Sequence, residues 1–140
     1  SRKVLSMTPE LSYLVWSVVL LFLHIFLQAS LKSANLDLAY LAGPQDANEP
    51  MTNPLALRVR KALVNFLETW PAFAVLALLL AVTEISTSMT VTGAALYFWG
   101  RVAYIPAYAS GIPGIRTLAW GVSVTGLVAM LYPLLGASFT

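Results

Sequence analysis

Cysteine is absent from the 140 residues, which excludes disulfides, thiolate metal sites, iron–sulfur clusters and a cysteine nucleophile. Histidine occurs once, as His24, so a single chain cannot assemble a histidine-based zinc site or a bis-histidine haem, and no metal is expected. Charge is scarce as well. Asp, Glu, Lys and Arg make up 10% of the chain, where soluble domains carry about 25%. The net charge of +2 is too small and too concentrated to point to nucleic acid. What fills the chain is apolar: 59% of residues are hydrophobic, with a mean hydropathy of +0.77. Such a composition is solvated by lipid, and the length suits one membrane domain of about four spans at about 20 residues each.

Turn-forming residues divide the chain into those spans. Thr8 and Pro9 predict the cap and first turn of a helix over 9–33. Its apolar run is longer than a secretory-signal core, and no A-x-A-like site follows, so it is expected to be retained. Gly43-Pro44, Glu49-Pro50 and Asn53-Pro54 mark a long loop over 35–53. Further helices are expected over 54–83, 91–109 and 115–135, with Pro71 kinking the second. Lys and Arg set the orientation. Lys32, Arg58, Arg60, Lys61 and Arg116 lie at the first and third loops, against Arg2 and Lys3 on the other side. The first and third loops are therefore expected in the cytoplasm.

Two polar stripes interrupt the apolar background. In the second segment Arg58, Lys61, Asn65 and Glu68 recur at helical spacing and share one face. In the third, Tyr97, Arg101, Tyr104 and Tyr108 do the same. Ionisable groups in hydrocarbon are costly and mark partners or cavities, so Arg101 is expected to pair with a carboxylate, Glu68 being the candidate, or to reach a wet cavity. Together the stripes suit a small, multiply charged ligand. Arg and Lys would take its carboxylates, Glu68 an ammonium and Asn65 an amide.

Other residues have plainer readings. Arg58 and Arg60 taken alone are headgroup anchors, and Tyr97 and Trp99 suit packing or an interfacial aromatic belt. His24 is expected to be a core histidine bonded to a neighbouring helix. Gly93, Gly100, Gly121 and Gly126 are expected to permit close helix approach.

The run Arg58-Val-Arg60-Lys61-Ala62-x-x-Asn65-x-x-Glu68, followed by Pro71, resembles the second-helix signature of the membrane-associated proteins in eicosanoid and glutathione metabolism. Arg101-x-x-Tyr104-x-x-x-Tyr108, with Pro113 and Arg116 beyond, is similar to that family's third-helix and loop signature. Lys61 stands where many members have arginine, and Thr69 where some have tyrosine. The resemblance, of microsomal glutathione transferase type, covers the whole chain. It implies an all-α integral membrane four-helix bundle assembling as a homotrimer, with glutathione as co-substrate. By motif position, Arg60, Lys61, Asn65, Glu68, Arg101, Tyr104 and Tyr108 would bind glutathione. Arg116, with Tyr108, would stabilise its thiolate.

The expected activity is a glutathione-dependent transferase or peroxidase acting on lipophilic electrophiles delivered by the bilayer. The alternative is a non-catalytic membrane subunit of a larger complex, or a lipid-binding protein using the same fold. A transporter with Glu68 as proton site lacks supporting repeats or broken helices.

Overall fold

The computed structural model describes residues 6–35 and 54–139; the loop expected over 35–53, apart from Asn35, and Arg2 and Lys3 fall outside them. Four helices run through the described residues: α1 (Pro9–Asn35), α2 (Pro54–Val82), α3 (Ser88–Ala109) and α4 (Pro113–Ser138). Local chemistry sets their ends. Thr8 Oγ1 accepts from the amide of Leu11 at 3.2 Å, capping α1. Thr87 and Thr90 form a reciprocal box, the Thr87 amide donating to Thr90 Oγ1 at 2.8 Å and the Thr90 amide to Thr87 Oγ1 at 3.2 Å. That box starts α3 at Ser88, ahead of the expected Val91. Pro113 occupies the first turn of α4, where its missing N–H is harmless. The second helix continues through Pro71.

The bundle packs α1 on α2 and α3, and α2 on α3 and α4, while α3 and α4 make the most extensive pair. Glycine allows that last contact. A Cβ at Gly93 would lie 2.6 Å from the carbonyl oxygen of Gly126, and a Cβ at Gly126 would collide with the carbonyl of Gly93. At Gly100 a Cβ would come 3.1 Å from the Ser123 amide. The two backbones therefore touch along a seam of small residues, which is how helices gain contact in lipid, where both sides are equally apolar. Gly121 departs from the expectation made for it: among the described residues nothing lies within 4 Å of a Cβ there, so it takes no part in the seam between α3 and α4.

Phe73, Leu76, Ala77 and Leu80 of α2, Ala94 and Tyr97 of α3 and Met130 of α4 make the principal core. The Phe73 and Tyr97 rings stack at 4.4 Å. Polar pegs tie the helices at other levels. Trp70 Nε1 donates to Ser17 Oγ at 2.9 Å, joining α2 to α1. Glu10, fully buried, accepts from Ser86 Oγ at 3.1 Å and from Thr90 Oγ1 at 2.8 Å. This brings a carboxylate to the N-terminal end of α3, where the helix dipole favours it.

The outer surface is apolar, with Phe22, Phe26, Val82 and Leu118 each exposed by more than half. Pro9–Leu31, Pro54–Val82 and Pro113–Ser138 are long and apolar enough to cross a membrane. The third helix is not one of these three, and its inward stripe carries Thr90, Tyr97, Arg101 and Tyr104. Its neighbours cover that stripe, so the helix as packed offers little polarity outward. The protein is an all-α integral membrane bundle.

Candidate functional site

Where α2, α3 and the start of α4 diverge, they leave a cleft of about 470 Å³. Helical periodicity builds its walls. From α2 come Arg60, Lys61, Asn65 and Glu68, with Leu57 and Val64 as apolar patches between them. From α3 come Tyr104 and Tyr108, one turn apart, and from the first turn of α4 comes Arg116. An adjoining recess of about 150 Å³ shares Asn65, Tyr104 and Arg116 and adds Thr117 and Trp120. The two polar stripes therefore meet within one protomer. Three of the charged groups are cations (Arg60, Lys61, Arg116) and one is a carboxylate (Glu68), so the cleft carries a net charge of three minus one, or +2.

Arg101 alone among the expected ligand-binding residues stands outside this lining. It is fully buried behind the cleft, where its Nη1 donates to Asn65 Oδ1 at 2.9 Å. A hydrogen bond with one charged partner is worth about 1.5–3 kcal/mol. The expected bridge from Glu68 to Arg101 is replaced by this contact. Asn65 precedes Glu68 by three residues, about 4.5 Å along the helix axis, and the guanidinium sits at the level of the amide. Glu68 instead faces the open cleft and is exposed. The guanidinium carbon lies 4.1 Å from the Tyr104 ring centroid and 5.5 Å from that of Phe66, so aromatic faces stabilise its charge. No acceptor among the described residues meets its Nε or Nη2.

The stack continues in both directions. Tyr104 and Tyr108 lie 5.5 Å apart, and the guanidinium carbon of Arg116 is 5.0 Å from the Tyr108 centroid. On the other side, the His24 ring stacks on Phe66 at 4.9 Å. His24 is buried and neither of its ring nitrogens has a hydrogen-bond partner among the described residues. The expectation that it bonds to a neighbouring helix is thus corrected: the imidazole acts as an aromatic plate, because the group opposite it is Phe66.

Arg58 has a structural task beyond headgroup anchoring. Its Nη1 donates to the Ala109 carbonyl at 3.3 Å, and its guanidinium lies against Gly111, where a Cβ would come 3.0 Å from Cζ. A cation there satisfies a carbonyl at the C-terminus of α3 and complements its dipole. Gly111, at φ +77°, closes the turn. Sequence spacing missed Thr117 and Trp120, whose only signal is that they follow Arg116 on α4 by one and four residues.

No curated protein and no solved structure matches the chain. The model of the MAPEG family matches residues 13–136, taking in both polar stripes and all four helices. A membrane bundle with these motifs at these positions is accounted for by that match, and the chain belongs to the MAPEG family.

Proposed function

We propose that this protein is a glutathione-dependent transferase or peroxidase acting on lipophilic electrophiles. The observation that carries the proposal is the cleft that gathers Arg60, Lys61, Asn65, Glu68, Tyr104, Tyr108 and Arg116 in a MAPEG chain. Its volume, about 470 Å³, lies within the roughly 300–1,000 Å³ usual for small-molecule sites. Its charge is complementary as well. Glutathione with an ionised thiol carries two carboxylates, one ammonium and one thiolate, a net charge opposite to that of the lining.

Arg60 and Lys61 pair with the carboxylates, Glu68 takes the ammonium and Asn65 contacts the peptide. A thiol is a weak nucleophile until a nearby cation favours its ionised form. Arg116 supplies that field, aided by the hydroxyl of Tyr108. In the transferase reaction the thiol proton passes to solvent. The thiolate sulfur then forms a bond to an electrophilic carbon, and the leaving group departs with its electron pair. Apolar surface beside the cleft lets the acceptor arrive from the bilayer, so that position substitutes for a deep pocket.

The assembly is a homotrimer, with the mouth of the cleft on the cytoplasmic side as the distribution of Lys and Arg directs. The test is conjugation of glutathione to a generic aryl halide by detergent-purified protein, with binding followed at millimolar glutathione. Turnover is expected from a particle of three 15.1 kDa chains. The absence of both binding and conjugation, or a particle held together by other subunits, would overturn the proposal.

A further inference from the structure

We propose that Arg101 is a positioning residue that sets the polarity of the Asn65 amide and thereby the kind of group the cleft accepts there. The proposal rests on the cleft being the ligand site. A side-chain amide has a donor end and an acceptor end, and either could face a ligand. Here the choice is made from behind. A guanidinium has five N–H donors, no lone pair to offer and no accessible neutral form. Of the two ends of an amide only the oxygen can bond to it, and Asn65 Oδ1 lies 2.9 Å from its Nη1.

Arg101 is in no position to release that oxygen. It is 0% exposed, and the Tyr104 ring, 4.1 Å from its Cζ, and the Phe66 ring flank it. Turning the amide over would set two N–H groups against a fixed cation. Asn65 nevertheless lines both the cleft and its recess, and its Nδ2 has no acceptor among the described residues. The cleft therefore meets Asn65 through its Nδ2 donor, because Oδ1 is turned to Arg101. The group favoured there is a carboxylate or carbonyl oxygen, while an ammonium is left to Glu68.

The same cation holds the Tyr104 ring, so a single buried side chain sets two elements of the cleft wall. It touches no ligand itself.

Four variants of the full-length chain in detergent test this: Arg101→Leu, Arg101→Lys, Asn65→Asp and Asn65→Leu, each followed by thermal unfolding and by glutathione titration. Asn65→Asp replaces the donor end by a second acceptor while giving Arg101 an anion. Its melting temperature is expected to rise while glutathione affinity falls about tenfold or more, the loss of one charge-assisted bond. A merely structural asparagine would move stability without that opposite change in affinity. Arg101→Lys keeps a donor-only cation and retains most of the affinity, whereas Arg101→Leu frees the amide and weakens binding several-fold. Asn65→Asp binding glutathione as well as the native chain, or a folded Arg101→Leu doing so, overturns the proposal. Should Arg101→Leu fail to fold, the contrast between Arg101→Lys and Asn65→Asp decides. Should the native chain bind no glutathione, the transferase reading falls by itself. The lock is then judged by the stability coupling between Arg101→Lys and Asn65→Leu, and additive effects would refute it.

Discussion

Arg116 holds its guanidinium carbon 5.0 Å from the ring centroid of Tyr108, at the end of the cleft where α4 begins. The aromatic face restrains a long side chain that is otherwise exposed, so the charge is presented at a repeatable place. Removing it by Arg116→Ala is expected to lower kcat by about a hundredfold, as for loss of one preorganised electrostatic contact. Glutathione affinity should change far less. Arg116→Lys keeps the charge without the planar stacking group and is expected to fall between the two. The ultraviolet absorbance of bound thiolate checks the assignment directly, since it should vanish in Arg116→Ala.

The glycine seam between α3 and α4 predicts a steep asymmetry among glycines. Gly126→Ala drives a methyl into the Gly93 carbonyl and the Tyr97 amide, and backbone cannot step aside as a side chain can. Helix separation of that kind is expected to destabilise the bundle by about 1–3 kcal/mol, the range for overpacked sites. Gly121→Ala, with open space around it, should be neutral or slightly stabilising through helix propensity. Thermal unfolding in one detergent compares the two.

Glu10 predicts an effect at the end of the molecule remote from the cleft. Its carboxylate receives hydroxyls from Ser86 and Thr90, and Glu10→Ala leaves both without that acceptor. A loss of about 1.5–3 kcal/mol is expected, with Glu10→Gln milder because one amide oxygen remains. Protease sensitivity of the turn over 83–87 should rise in parallel, while glutathione affinity stays unchanged.

His24 predicts the reverse sign. Its two ring nitrogens are buried without hydrogen-bond partners among the described residues and its face lies on Phe66. Replacing it by phenylalanine keeps the stacking and removes the desolvated polar atoms, so His24→Phe is expected to leave stability equal or raise it by up to about 2 kcal/mol. Unfolding temperature and residual activity check this; a large loss of either would show that the imidazole nitrogens matter.

Much of this site was legible before any coordinates. Residues at steps of three and four share a face whatever surrounds the helix, so Lys61, Asn65 and Glu68 line one wall, and Tyr104 and Tyr108 the other. What spacing could not convey is how high one helix stands against another. That offset makes Asn65, not Glu68, the partner of Arg101. It also sends Arg58 to the end of α3 and Glu10 to its beginning, contacts spanning 51 residues and about 80. Gly93 and Gly126 were recognisable as close-approach residues, while Gly121 of the same type has open space around it among the described residues. A residue's type carries no information on which side of α4 meets α3.

The polar stripe on α3 has a consequence for how the chain is made. A segment carrying Arg101 near its middle is a poor substrate for insertion, at about 2.5–3.5 kcal/mol for a central arginine, and its tyrosines and glycines do little to offset that. The glycine seam joins α3 to α4, which is apolar enough to cross alone, and only three residues separate them. The two segments are therefore expected to enter the bilayer as a hairpin, with α3 held at the translocon until α4 has emerged. A nascent chain ending before Pro113 should accordingly leave α3 accessible to aqueous modification, whereas the full chain should protect it. Accessibility lost already at the shorter length would show that α3 inserts unaided.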